Sequence, residues 1–167
     1  MENINLKNEF YSKMVEKVKK QKWIHRNSAN HYDKLHKYVL YPSISITAFS
    51  SIASFISTSE YVTSNVQNGF SLSIGILASI STLLQSISSN CNYSTKCELH
   101  RNASQEYGKL LTKLEFEKNF PDENDFIDKT EAKILDIQTK CKYLPPQFII
   151  DNYEEREDDE KKPLLHN

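Results

Sequence analysis

Apolar residues in the first 37 positions recur at helical spacing among lysines: Ile4, Phe10, Met14, Val18, Ile24, Tyr32 and Leu35. That spacing predicts an amphipathic helix over 4–37, with polar positions facing water. From residue 38 the pattern changes. Two blocks, 38–57 and 70–89, are built almost wholly from apolar residues and hydroxyls, and the polar stretch 58–69 separates them. A helix of about 20 residues, at about 1.5 Å per residue, crosses a hydrocarbon core about 30 Å thick. The blocks therefore predict a transmembrane hairpin with an outside loop over 58–69. Beyond it the amphipathic pattern returns. Leu99, Ala103, Tyr107, Leu110, Leu111, Leu114 and Phe116 mark the packing face of a helix from Thr95 to about Asn119. Pro121 stops it. A further helix over 123–142 buries Phe126, Ile127, Ile134, Ile137 and Cys141, and ends before Pro145-Pro146. Nothing alternates like a strand, so the fold class is all-α: a two-helix transmembrane hairpin with long amphipathic cytoplasmic helices before and after it. Pro42, lacking an N–H, should kink or restart the first span.

Charge sharpens the membrane reading. Between Lys37 and Lys96 the only formal charge is Glu60, although charged residues make up 26% of the chain. Lys34 and Lys37 precede the first block, Lys96 and Arg101 follow the second, and the loop carries no Lys or Arg. The positive-inside rule then puts both termini in the cytoplasm and Glu60 outside. The net charge of −1 gives no reason to expect a nucleic-acid partner. The expected partners are the lipid bilayer and further copies of this chain, as a homo-oligomer. The first apolar run begins behind a charged helical segment, so no cleavable signal peptide is read and the first span serves as its own insertion signal.

Hydroxyls are unusually frequent in both blocks, with seven Ser or Thr over 39–57 and seven over 70–88. Each Ile, Leu, Phe or Val gains only about 0.3 to 0.6 kcal/mol on insertion, which leaves such spans close to marginal. A hydroxyl that bonds to the carbonyl one turn earlier is nevertheless satisfied inside lipid. The small and polar residues also form stripes. Ser43, Thr47, Ser50, Ser54 and Ser57 step by four and three along the first block, and Ser71, Gly75, Ala78, Thr82, Gln85 and Ser89 do so along the second. One account is close helix packing, with hydroxyls bonding across the seam. The other is a hydrated path at the axis of an oligomer, which the primary amide of Gln85 favours. A single hairpin encloses no pore, so the second account requires several copies.

Candidate chemistry is sparse. His25, His31 and His36 fall in the first helix, His100 after the spans and His166 in the tail, with no metal-binding motif around any of them. A solvated or interfacial place is expected for each, and no metal or cofactor is expected. Cys91, Cys97 and Cys141 lack zinc-ligand spacing and are expected as reduced structural thiols, Cys91 lying near enough to the membrane for reversible acylation. Asn92-Tyr93-Ser94 and Asn102-Ala103-Ser104 match the glycosylation sequon, which the expected topology hides from the lumen. Three glycines build no phosphate loop, and no catalytic constellation emerges. An enzyme is not expected.

Short motifs suggest a family. Trp23-Ile24-His25-Arg26-Asn27-Ser28-Ala29, His31-Tyr32 and Tyr41-Pro42-Ser43-Ile44-Ser45-Ile46 resemble the entry to the first span in SLATT-type two-transmembrane proteins (SMODS and SLOG-associating two-transmembrane effector domains), which include similar small proteins of large DNA viruses. His100-Arg101-Asn102-Ala103 with Tyr107 and Leu110 is similar to the family's helix after the second span, and Lys142-Tyr143-Leu144-Pro145-Pro146 to its closing turn. The likeness covers about residues 10–150. It departs at Ser50-Ser51, where a Gly-containing run is usual. The resemblance implies two membrane helices with cytoplasmic helical extensions, of a type proposed to form pores in prokaryotic defence systems, where a nucleotide-sensing partner acts as trigger. The expected function is an oligomeric membrane protein acting as a pore or ion channel. The alternative is a non-conducting scaffold or virion membrane component whose cytoplasmic helices bind other proteins.

The C-terminal segment is acidic, with seven acids against three bases over 151–162, and the tail 149–167 is expected to be disordered. Within it Glu160, Leu164 and Leu165 fit the acidic dileucine pattern, an acid followed by three residues and then two leucines. It resembles signals that adaptor complexes read on cytoplasmic tails, which implies an endosomal or lysosomal membrane in a eukaryotic host.

Overall fold

The computed structural model describes residues 2–58, 63–117 and 125–161, with side chains except those of 2–8, 10, 64, 117, 125–126 and 158–161. Among the described residues every regular element is a helix: α1 (Glu2–Ser57), α2 (Ser64–Cys91), α3 (Tyr93–Glu117), α4 (Asp125–Lys140) and α5 (Gln147–Lys161). They form two compact units. One comprises residues 1–31 and 95–167, the other 32–94, so α1 contributes to both.

The first unit is a helical bundle with one apolar core. Met14 and Val18 of α1 meet Ala103, Tyr107, Leu110, Leu111 and Leu114 of α3 and Ile134 and Ile137 of α4. These are the three- and four-residue steps expected of faces that pack helix on helix. Ser28, wholly buried, donates its hydroxyl to the Ile24 carbonyl at 2.8 Å, and Ser104 reaches the Lys22 carbonyl at 3.1 Å, so neither is left unsatisfied. Phe116, expected on the packing face, is instead 70% exposed. It stands two residues from Leu114, about 200° around the helix. Phe126 lies outside the described side chains.

The acidic segment departs from expectation. Residues 147–161 are the helix α5 rather than a disordered tail. Its first turns carry the apolar anchors. Ile149 is buried, Phe148 meets His31 edge-on with ring centroids 5.0 Å apart, and Tyr153 packs on Trp23 at 5.3 Å. Lys20 adds an ion pair to Glu154 at 3.1 Å. The acidic composition of 151–162 alone misses these anchors, of which Phe148 and Ile149 precede it and Tyr153 lies within it. Leu164 and Leu165, which complete the dileucine pattern, lie outside the described residues, as does the Glu160 side chain.

The second unit is a helical hairpin. Pro42 sits inside α1, which runs on through it as one helix and does not restart. The loop is shorter than 58–69, because α2 already begins at Ser64 after the extended Thr63. Gln67 closes the tip by donating its side-chain amide to the Ser57 carbonyl at 2.7 Å, which satisfies a terminal acceptor of α1. Glu60 lies outside the described residues. At its other end α2 stops at Cys91, where Asn92 adopts the left-handed conformation, φ 52°. Asparagine tolerates that region better than most residues.

Candidate functional site

The seam between α1 and α2 is polar at its centre. Ser81 of α2 is buried against Ser43 of α1, with hydroxyl oxygens 3.3 Å apart, and its Oγ stands 3.0 Å from Thr47 Oγ1. Ser81 also donates to the Ser43 carbonyl at 3.4 Å, and Gln85 Nε2 donates to Ser81 at 3.4 Å. Whereas the Ser50 hydroxyl is buried without a partner among the described residues, five hydroxyls away from the seam bond back along their own helix: Ser51 to the Thr47 carbonyl, Ser71 to Gln67, Ser73 to Gly69, Ser79 to Gly75 and Thr82 to Ala78, all at 2.8–3.0 Å. This is the one-turn back-bonding that lets a Ser-rich helix enter lipid with its donors occupied.

The two predicted stripes separate. On α1, Ser43 and Ser57 are buried and Ser50 is half-buried, whereas Thr47 and Ser54 are exposed on the flank. On α2 none of the stripe is buried. Ser71, Gly75, Ala78, Thr82, Gln85 and Ser89 are all exposed, and nothing lies within 4 Å of a Cβ placed on Gly75. The seam is formed one residue earlier, by Phe70, Ile74, Leu77, Ser81, Leu84 and Ser88. Close packing inside the hairpin therefore does not explain the α2 stripe. Ser81, the centre of the seam, belonged to no predicted stripe. Ser81→Ala is expected to lower hairpin stability by about 1 kcal/mol, the scale of a few polar contacts between membrane helices. Reversible unfolding of the detergent-solubilised protein measures it, with the exposed Ser79→Ala as control.

A second cluster lies in the bundle, where solvated histidines were expected. His25 of α1 and His100 of α3 are both buried, with their Nδ1 atoms 2.9 Å apart. Cys141, immediately after α4, places its Sγ 3.6 Å from His100 Nδ1 and 3.9 Å from His25 Nδ1. The thiol also faces the Tyr143 carbonyl at 3.7 Å, and Tyr107 stacks on His25 with centroids 5.5 Å apart. Burial, and then the neighbouring His100, lowers the His25 imidazole from 6.5 to about 4. Burial does the same to His100, and pushes the Cys141 thiol up. Both imidazoles are therefore neutral at pH 7, and one Nδ1–H is available to bridge to the other ring.

Each member stands seven residues from a core position: His25 from Val18, His100 from Tyr107, Cys141 from Ile134. That register, two helical turns, is the signal that places them on buried faces. Their separations of 75, 41 and 116 residues match no local ligand motif. The cysteines are all free thiols, with Cys97 buried and accepting from Arg101 at 3.4 Å.

The class so defined is an all-helical protein with two helices long and apolar enough to cross a membrane. Comparison with known proteins gives no matching family model, curated protein or solved structure. The SLATT resemblance thus rests on its short motifs alone.

Proposed function

We propose that this is an integral membrane protein whose hairpin inserts in the bilayer and assembles through α2 into a pore-forming homo-oligomer. The observation that carries the membrane part is burial. Two helical stretches, Tyr11–Ser57 and Asn65–Phe116, each contain an 18-residue window apolar enough to span a membrane, and only 6% of either window is buried. A soluble core helix of that composition would be mostly buried. Thirteen large apolar side chains from Tyr38 to Ile87 face outward instead, among them Phe49, Phe55, Leu72 and Leu83. A soluble monomer rarely exposes a contiguous apolar surface beyond a few hundred Å². Tyr38 and Tyr41 near one end of the hairpin suit the headgroup level, where aromatic belts occur.

The assembly part rests on the exposed stripe of α2. Small residues at Ser71, Gly75 and Ala78 permit close approach of a second hairpin, and Thr82 and Gln85 supply polar groups that favour water or a partner over lipid. The charge rule orients the helical bundle and both termini toward the cytoplasm. The SLATT resemblance points the same way. The test is reconstitution in planar bilayers with single-channel recording. Discrete currents whose conductance changes in Gln85→Leu, with oligomer size unchanged, support the pore. A stable oligomer that never conducts leaves the scaffold reading in its place.

A further inference from the structure

We propose that His25, His100 and Cys141 form a binding site for a zinc-class transition-metal ion that ties α1, α3 and the end of α4 together. The three side chains come from three separate elements, and their donor atoms, Nδ1, Nδ1 and Sγ, all lie within 4.8 Å of one another. Two imidazole nitrogens and a cysteine sulfur are a donor set for Zn²⁺, which accepts nitrogen at about 2.0–2.1 Å and thiolate sulfur at about 2.3 Å.

The distances admit one ion. At those bond lengths the observed pairs of 2.9, 3.6 and 3.9 Å subtend roughly 90°, 110° and 130° at the metal. These angles total less than a full circle, so a single point outside the plane of the three donors satisfies all three bonds. The apex opposite them is the fourth tetrahedral position, open to a further ligand. Relaxation toward regular tetrahedral angles needs only a few tenths of an ångström of opening between the imidazoles. The ring centroids, 5.1 Å apart, set the two Nδ1 edges face to face. That arrangement suits a shared proton in the metal-free form, and a small rotation of each ring turns both lone pairs onto the ion.

Proton balance follows. The Cys141 thiol loses its proton to solvent and binds as thiolate. The imidazole that carried hydrogen on Nδ1 moves it to Nε2, which keeps both rings neutral. One proton is released per ion bound. The ion replaces a weak thiol contact and a hydrogen bond with three coordinate bonds among elements 41 to 116 residues apart in the chain. Binding is thereby coupled to the stability of the bundle. It also accounts for two buried imidazoles where apolar residues would cost less to bury.

The full-length protein in detergent, stripped by chelator and titrated with Co²⁺ and then Zn²⁺, tests the site. One equivalent of Co²⁺ per chain should give a thiolate-to-metal charge-transfer band and intense tetrahedral visible bands, which Zn²⁺ displaces. Cys141→Ser should abolish the charge-transfer band. His100→Gln should weaken binding by more than about a hundredfold, beyond the effect of losing an outer-shell partner, while Cys97→Ser and His31→Gln leave it unchanged. Wild-type protein that binds no stoichiometric metal, or whose spectrum lacks a thiolate band, overturns the site. So does a band that persists in Cys141→Ser or vanishes only in Cys97→Ser. Because the wild-type spectrum alone reports thiolate ligation, a variant that fails to fold does not rescue the proposal.

Discussion

Ile76→Arg should remove the protein from the membrane fraction. Ile76 stands near the middle of α2, and 55% of its surface is exposed. If that surface faces lipid, arginine at the centre of the span costs about 2.5–3.5 kcal/mol, and the isoleucine it replaces contributed a few tenths in favour. The change amounts to more than about a hundredfold in the insertion equilibrium. A span so rich in serine has little surplus to absorb it. In a water-soluble hairpin the same substitution, at an exposed site away from any cap or core, would alter stability by about 0.5 kcal/mol or less and improve solubility. The fraction of protein resisting alkaline extraction from membranes separates the two. Undiminished recovery of Ile76→Arg would sink the membrane reading, and the back-bonded, exposed Ser79→Ala supplies the neutral comparison.

Tyr107→Ala should cost the helical bundle about 3–5 kcal/mol, the range for emptying a large aromatic site. Tyr107 is completely buried among Val18, Leu111, Leu114 and Ile137, and its ring stacks on His25. Burial pushes its phenol up to about 12, with the neighbouring Cys141 charge adding to the rise, so it remains neutral throughout the physiological range. Against total stabilities of about 5–15 kcal/mol, that is a large fraction of what holds the bundle folded. Thermal unfolding in detergent, followed by circular dichroism, measures the loss. Phe116→Ala, on the exposed face of the same helix, should leave the transition within a degree or two. Equal melting of the two variants would mean that the α3 face has been assigned wrongly. On the proposed membrane reading, association should survive in both, because neither residue lies in the hairpin.

The two substitutions probe units whose legibility in the sequence differs. In the bundle, Val18, Tyr107, Leu114, Ile134 and Ile137 were readable as core because apolar residues at three- and four-residue steps occupy one side of a helix whatever it packs against. Phe116 was misassigned because an aromatic residue counts as apolar while its position, two residues past Leu114, turns it away. Residues 149–161 were misread because acidic composition speaks to solvation, and three aromatic and aliphatic anchors near the start of α5 suffice to dock it.

In the hairpin, the near absence of charge and the length of the two blocks depend on residue type alone, and both carried through to α1 and α2. The α2 stripe did not face α1, for a reason of phase. Each residue advances a helix by about 100°, so the rows 70–74–77–81 and 71–75–78–82 look equally regular in sequence yet occupy different faces. Only the partner helix selects between them, and it selected Ser81. The same limit hid the histidines. Sequence determines that His25, His100 and Cys141 each continue an apolar register, since that is a property of one helix at a time. That their donor atoms converge within 4.8 Å is decided by the tertiary packing of α1 and α3 with the end of α4, because no local spacing encodes a distance between residues 41 to 116 positions apart.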